Sequence, residues 1–221
     1  MRGKAVPGGS GVPVGRSAAE VATPGAPSAG SADLDPIPLL LGWMREAETT
    51  DTGWAAALAT ATSDGHPSVR MVLVKEATPR GVIFYSDGGS RKGMELRRNP
   101  QAAICLHWPT LGRQLRVEGK VRRLPAAKVD SYFHSRPRLS QLAAAVSHQS
   151  RPAPSRPELE AWVERLALEL DGAEVPRPRR WAGYHLEYEV VEFWREGPGR
   201  LHHRVEYRRL GAQWQVRELQ P

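Results

Sequence analysis

The chain has 221 residues, 40% of them hydrophobic and 25% charged, with a formal net charge of +7. That length allows one domain with its own core, and no apolar run approaches the roughly 20 residues of a membrane-spanning helix. The single cysteine, Cys105, excludes an intrachain disulfide; with no apolar signal core at the N-terminus, a reducing cytoplasm is the expected setting.

Residues 1–33 are rich in Gly, Pro, Ala and Ser and hold no Leu, Ile or aromatic residue. Such a segment cannot bury enough apolar surface to offset its ordering entropy, so a disordered tail is expected, with the folded domain over 34–221. A helix is expected from Asp35-Pro36, where the carboxylate caps and proline fits the first turn; Ile37, Leu40, Leu41 and Met44 follow at helical spacing. Trp54–Thr62 is Ala-rich and ambiguous by propensity. The Asp64-Gly65 turn and the β-rich Ser68–Lys75 beyond it favour a hairpin. Gly81–Ser86 reads as a third strand. Ser90 is placed to cap a short helix that ends before Asn99-Pro100. Ala102–Trp108 and Gln114–Leu124 read as strands, the second with strict period two.

Helices are expected after Pro125, after Pro137 and from Ser155, where Ser155 and Glu158 form a capping box. Strands return at 183–195, 200–208 and 213–219, with Gly197-Pro198-Gly199 and Gly211-Ala212 between them. The sum is an α+β fold, an antiparallel barrel with its helices grouped in mid-chain, with neither a GxGxxG fingerprint nor a P-loop.

The basic balance suggests an anionic partner, which leaves nucleic acid, an anionic membrane surface or small phosphorylated ligands. Gly88-Gly89-Ser90-Arg91-Lys92 offers free backbone N–H groups, a hydroxyl and two cations, either as a phosphate cradle or as an exposed helix start. Arg70 and Lys75 lie five apart on one strand and so on opposite faces. They serve one ligand only if the strand bends or the site spans two chains, and otherwise mark strand ends. Arg200, His202 and Arg204 are expected on one strand face, where two flanking arginines favour an anion unless they only keep an edge strand soluble. Tyr132, Arg136 and Ser140 fall at i, i+4 and i+8 across Pro137, so a helix–turn–helix corner is expected. The histidines show no zinc spacing, and no GxSxG elbow is present. The basic residues are dispersed and RNA-binding aromatic motifs are absent, which argues against nucleic acid.

Together these segments resemble the pyridoxamine/pyridoxine 5′-phosphate oxidase family over about residues 34–221. Arg70, Met71, Val72, Leu73, Val74 and Lys75, then Tyr85 and Ser86 with Ser90, Arg91 and Lys92, then Arg113-Gln114, are similar to its flavin-binding motifs. Tyr132 to Gln141 resembles its substrate corner. Gln149-Ser150 and Trp181-Ala-Gly183 match further flavin contacts, and Glu192-Phe-Trp194 with Arg200-Leu-His202-x-Arg204 resembles its C-terminal signature. The chain departs from the usual pattern at Arg195, where Gln, His or Gly is customary, and at His203, where Asp, Asn or Glu is.

The resemblance implies a split-barrel homodimer with FMN at the subunit interface, oxidising a small phosphorylated pyridine substrate with O2, without nucleic acid or membrane. It implies Arg70, Lys75, Ser90, Arg91 and Lys92 at the FMN phosphate, and Gln114, Gln149, Ser150, Trp181 and Arg204 on the rest of the flavin. Tyr132, Arg136 and Ser140, with Lys75, are implied at the substrate phosphate, and Arg200 and His202 at the reacting ring as the catalytic pair. The alternatives are a related oxidase of phenazine-type secondary metabolism and a non-catalytic binder of flavin or pyridoxal phosphate.

Overall fold

The computed structural model describes residues 35–221; the tail expected over 1–33 lies outside them. The described residues form helix α1 (Ile37–Ala47), strands β1 (Ala55–Ala61), β2 (Pro67–Thr78) and β3 (Gly81–Asp87), helix α2 (Arg91–Arg98), and strands β4 (Gln101–Trp108) and β5 (Arg113–Arg123). Helices α3 (Ala126–Ser135), α4 (Arg138–Val146) and α5 (Arg156–Leu170) follow. Strands β6 (Trp181–Glu187), β7 (Val190–Arg195), β8 (His203–Leu210) and β9 (Gln213–Leu219) complete the chain.

The strands pair in the order β4-β1-β2-β3-β6-β5-β7-β8-β9, and a further β4–β5 pairing closes the first six into a barrel. The closing strand is β5. One edge pairs with β4 from Arg113 to Lys120. The other edge pairs with β7 over Arg113–Glu118 and with β6 over Val121–Arg123. The barrel therefore splits along β5, and β7, β8 and β9 extend from it as an open flap. Gly119 marks the split: a Cβ there would lie 2.1 Å from the Glu187 carbonyl oxygen. The alternation read in the sequence survives, with Leu115, Val117 and Val121 buried and Gln114, Arg116 and Glu118 on the other face.

Local chemistry sets most element ends as expected. The Asp35 carboxylate accepts from the Ile37 N–H, Ser90 Oγ from Gly93 N, and Ser155 Oγ from Glu158 N. The Ala-rich segment is a strand because both its edges are paired, one by β2 and the other by β4.

Two expectations are corrected. The continuous strand read over 183–195 is two strands, β6 and β7, broken at Tyr188-Glu189, with β6 on β3 and β7 on β5 and β8. No Gly or Pro marks the break; it follows from the change of partner. The strand read from 200 starts at His203, because Pro198–Arg200 forms a 3-10 turn. Gly119→Ala should cost roughly 1–3 kcal/mol or more, since the added methyl group must push two paired backbones apart. Urea unfolding of the variant checks it.

Candidate functional site

The residues around the start of α2 form one polar network. Lys92 is 6% exposed, and its ammonium donates to Gln149 Oε1 at 2.6 Å and to Ser86 Oγ at 3.0 Å, with Ser90 Oγ at 3.4 Å. Ser86 also donates to Gln149 Oε1, at 3.1 Å. Burial, together with the Arg70 charge, pulls the Lys92 pKa down to about 8, against the opposing pull of Asp87 and Glu95. A buried lysine that stays mostly charged gains by pairing with an anion.

Glu95 organises the cations beside it. Its Oε2 accepts from Thr60 at 2.5 Å and Ser68 at 2.6 Å, while Oε1 accepts from Arg91 Nε at 2.9 Å. Arg70 reaches the same carboxylate at 3.4 Å and donates to Thr60 and to the Leu58 carbonyl. Burial alone raises the Glu95 pKa, but these hydrogen bonds and the Arg70 charge outweigh it and hold the group at about 2. Arg70 and Arg91 thus share one carboxylate, and Lys92 beside them rests on neutral partners, which leaves surplus positive charge at a helix N-terminus.

Arg180 holds the far wall. Its Nε donates to Asp87 at 2.9 Å, and its Nη2 donates to the carbonyls of Ala144, Ala145 and Ser147 at the end of α4. That clamp brings the Gln149-Ser150 turn, with Ser150 at φ 68°, beside α2. Nothing in the local sequence marks Arg180 for this role, because only the fold brings α4 to it.

A second group lies on α3 and the α3–α4 corner, as the Pro137 interruption implied. Tyr85 and Tyr132 stack with ring centroids 3.8 Å apart. A Cβ on Gly183 would come within 2.9 Å of Tyr85, so this glycine serves packing. The Arg136 guanidinium lies 4.3 Å over the Trp181 ring, and burial lowers its pKa. Arg136 Nη1 and Trp181 Nε1 are buried donors without an acceptor among the described residues. Ser140 stands half-buried at the corner, its N–H bonded to the Pro137 carbonyl.

Strand β2 links the clusters. Arg70 faces the Glu95 network, whereas Val69, Met71 and Leu73 are 69%, 64% and 56% exposed on the other face, beside Lys75. Val72 and Val74 point inward with Arg70. The register shifts between Val74 and Glu76, and Lys75 stays on the exposed face, opposite Arg70.

The third group occupies the flap. Gln114, Trp194 and Arg204 are cross-strand neighbours on β5, β7 and β8. The Trp194 and His202 rings lie 4.6 Å apart, and His202 Nδ1 accepts from Gly197 N at 3.3 Å. The expectation that Arg200, His202 and Arg204 share a strand face is corrected: Arg200 sits in the preceding turn at φ 65°. The residue that anchors this group is Glu192, which the sequence places in the C-terminal signature without assigning it a role. It is 3% exposed and accepts from Arg204 Nε at 2.8 Å and Arg116 Nη1 at 2.6 Å.

Arg195 and His203, the two departures from the family pattern, pair with one another across β7–β8. They lie in register with Arg113, on the opposite sheet face from Gln114, Trp194 and Arg204. The carboxylate that steadies Arg204 comes from Glu192, so His203 does not need to supply it. Among the described residues, no hydrogen bond, ion pair or ring contact joins this flap group to the α2 network. Within one chain the two groups stand apart.

Residues 53–168 match the family model for pyridoxamine 5′-phosphate oxidase, and residues 181–221 match that for the pyridoxine 5′-phosphate oxidase C-terminal dimerisation region. A pyridoxine/pyridoxamine 5′-phosphate oxidase from Anaeromyxobacter dehalogenans is 54% identical over 167 residues, covering 76% of this chain and 84% of the relative. One from Rhodospirillum rubrum is 46% identical over 196 residues, covering 86% and 98%. The crystal structure of PhzG from Burkholderia lata, in complex with tetrahydrophenazine-1-carboxylic acid, superposes with a TM-score of 0.80 at 36% identity, covering 85% of this chain and 93% of that one.

The Glu95 pKa, near 2 when folded and 4.5 as the ordinary value, fixes a sign. A folded pKa below the unfolded one gives stability that is complete above pH 4.5 and is lost as pH falls toward 2, on the order of 3 kcal/mol. Glu95→Gln should be less stable at pH 7 and flatter than the parent between pH 4.5 and 2. Denaturant midpoints across that range test this; equal slopes for the two proteins would contradict it.

Proposed function

This chain belongs to the pyridoxamine 5′-phosphate oxidase family, and from that premise we propose that it is an FMN-dependent oxidase. It converts pyridoxamine or pyridoxine 5′-phosphate to pyridoxal 5′-phosphate and works as a cytoplasmic homodimer. The observation that carries the reading is the buried Lys92 ammonium among Ser86, Ser90 and Gln149, with Arg70 and Arg91 beside it. Surplus cations at a helix start suit the phosphate of FMN. The unpartnered Arg136 and Trp181 donors suit further ligand acceptors at the neighbouring corner.

When bound, FMN would supply the redox chemistry, a two-electron oxidation at the substrate's C4′ carbon with O2 as final acceptor and hydrogen peroxide as by-product. The alcohol substrate yields the aldehyde directly; the amine consumes one water and releases ammonia. The chain's part is position and charge. Arg70, Lys75, Ser90, Arg91 and Lys92 hold the FMN phosphate and its neighbouring groups, along the backbone of Met71 to Val74 and of Tyr85-Ser86. Gln149, Ser150 and Trp181 from one chain, and Gln114 and Arg204 from the other, flank the rest of the flavin. Tyr132, Arg136 and Ser140, with Lys75, bind the substrate phosphate. Arg200 and His202 orient the pyridine ring, with Glu192 fixing Arg204 next to them.

Two chains are required because the flap and the α2 network do not meet within one. The match to a dimerisation region over 181–221 and the exposed Val69, Met71 and Leu73 stripe support that arrangement.

A phenazine-type activity is the second reading, favoured by the 36% identity to PhzG. Its ligand there has no phosphate, which would leave the Tyr132–Arg136–Ser140 corner without its group. Oxygen uptake by FMN-loaded protein separates the two readings. Turnover of pyridoxamine or pyridoxine 5′-phosphate, and none of unphosphorylated pyridoxine, is expected; bound flavin without turnover of either ester would overturn the reading. Arg200→Ala should lower kcat by about 100-fold while FMN affinity stays within a few-fold. Equal loss of both would remove Arg200 from the reacting ring.

A further inference from the structure

Another face of α2 closes a recess of about 210 Å³ against the β5–β6 junction, lined by Gly88, Gly93, Leu96, Arg97, Arg123 and Tyr184 among others. Gly88 and Gly93 border the α2 network through their backbone, but the side chains of Leu96, Arg97, Arg123 and Tyr184 take no part in the site described above. Arg123 lies directly opposite Tyr184 in the β5–β6 pairing, so both side chains stand on one face. A Cβ on Gly88 would lie 3.3 Å from Arg123 Nη2 and 3.4 Å from the Tyr184 hydroxyl, which puts both groups over that glycine. Burial raises the Tyr184 pKa, and the Asp87 charge adds to the rise while Arg123 and Arg97 oppose it, so both guanidinium groups act on the same hydroxyl.

No carboxylate lines the recess. The nearby acids are engaged elsewhere, Asp87 by Arg180 and Glu95 by Arg70 and Arg91. Among the described residues, no hydrogen bond or ion pair includes the Arg97 or Arg123 side chain. Two guanidinium groups facing one small recess without a counter-charge repel each other. A tetrahedral oxyanion turns that repulsion into charge-assisted hydrogen bonds.

We infer that this recess is a second anion site, which takes a small oxyanion of the phosphate class between Arg97 and Arg123, with the Tyr184 hydroxyl donating to it. The test is calorimetric titration of inorganic phosphate, at constant ionic strength, into FMN-loaded protein carrying Arg136→Ala to silence the substrate corner. One saturable site per chain is expected. Arg97→Gln or Arg123→Gln, added singly, should weaken it at least tenfold with the thermal midpoint retained, and Tyr184→Phe should weaken it less. Both arginines are exposed, so the fold does not rest on them. Absence of saturable binding, or saturable binding that neither arginine variant weakens, overturns the inference.

Discussion

At Gly119, β5 leaves its pairing with β7 and takes up β6, and the Glu187 carbonyl occupies the space a side chain would need. One strand thereby bonds to three others. On one side of the junction the barrel closes over a core that includes Leu58, Phe84, Leu106 and Leu115. On the other side β7, β8 and β9 swing out as a flap whose polar face carries Arg116, Glu192 and Arg204. The split separates the two groups of functional side chains within one chain. In the proposed two-chain site, dimerisation would join these groups and cover the exposed stripe on β2.

Electrostatics within each half are settled by one buried carboxylate. Glu95 holds Arg70 and Arg91, and Glu192 holds Arg116 and Arg204. A buried carboxylate bonded on both oxygens fixes the guanidinium planes before any ligand arrives, while the excess of cations keeps the neighbourhood attractive to anions. Lys92 stands outside these pairs. It rests on neutral partners and keeps its charge against burial, so it is the cation in the network that gains most from an anionic ligand.

Much of this was legible in the sequence where local chemistry decides. Ser90 and Ser155 cap the helices they were expected to cap, and the Asp64-Gly65 turn identifies a strand in Ala-rich sequence that propensity leaves open. Legibility ends where a distant partner decides. The break at Tyr188-Glu189 lies between two mostly buried segments without a Gly or Pro, so only the pairing of β6 with β3 and of β7 with β5 reveals it. Arg200 fits a strand pattern four residues before Arg204, yet the Gly197-Pro198-Gly199 turn extends through it. Glu192 and Arg180 each look like ordinary charges and gain their roles from β8 and α4. The same dependence on faces changes the meaning of Arg195 and His203: in the sequence they interrupt a signature, and in the fold they lie on the face away from Trp194 and Arg204.

The most direct test of the two-chain site is complementation between inactive variants. Lys92→Met disables the α2 half and Arg200→Ala the flap half, so each homodimer should be inactive. Unfolded together and refolded with FMN, random mixing should restore about a quarter of parental oxygen uptake on pyridoxine 5′-phosphate, because each hybrid dimer has one intact site. Uptake that stays at the level of the separate variants, with hybrid dimers demonstrably formed, would place both halves in one chain and contradict the account.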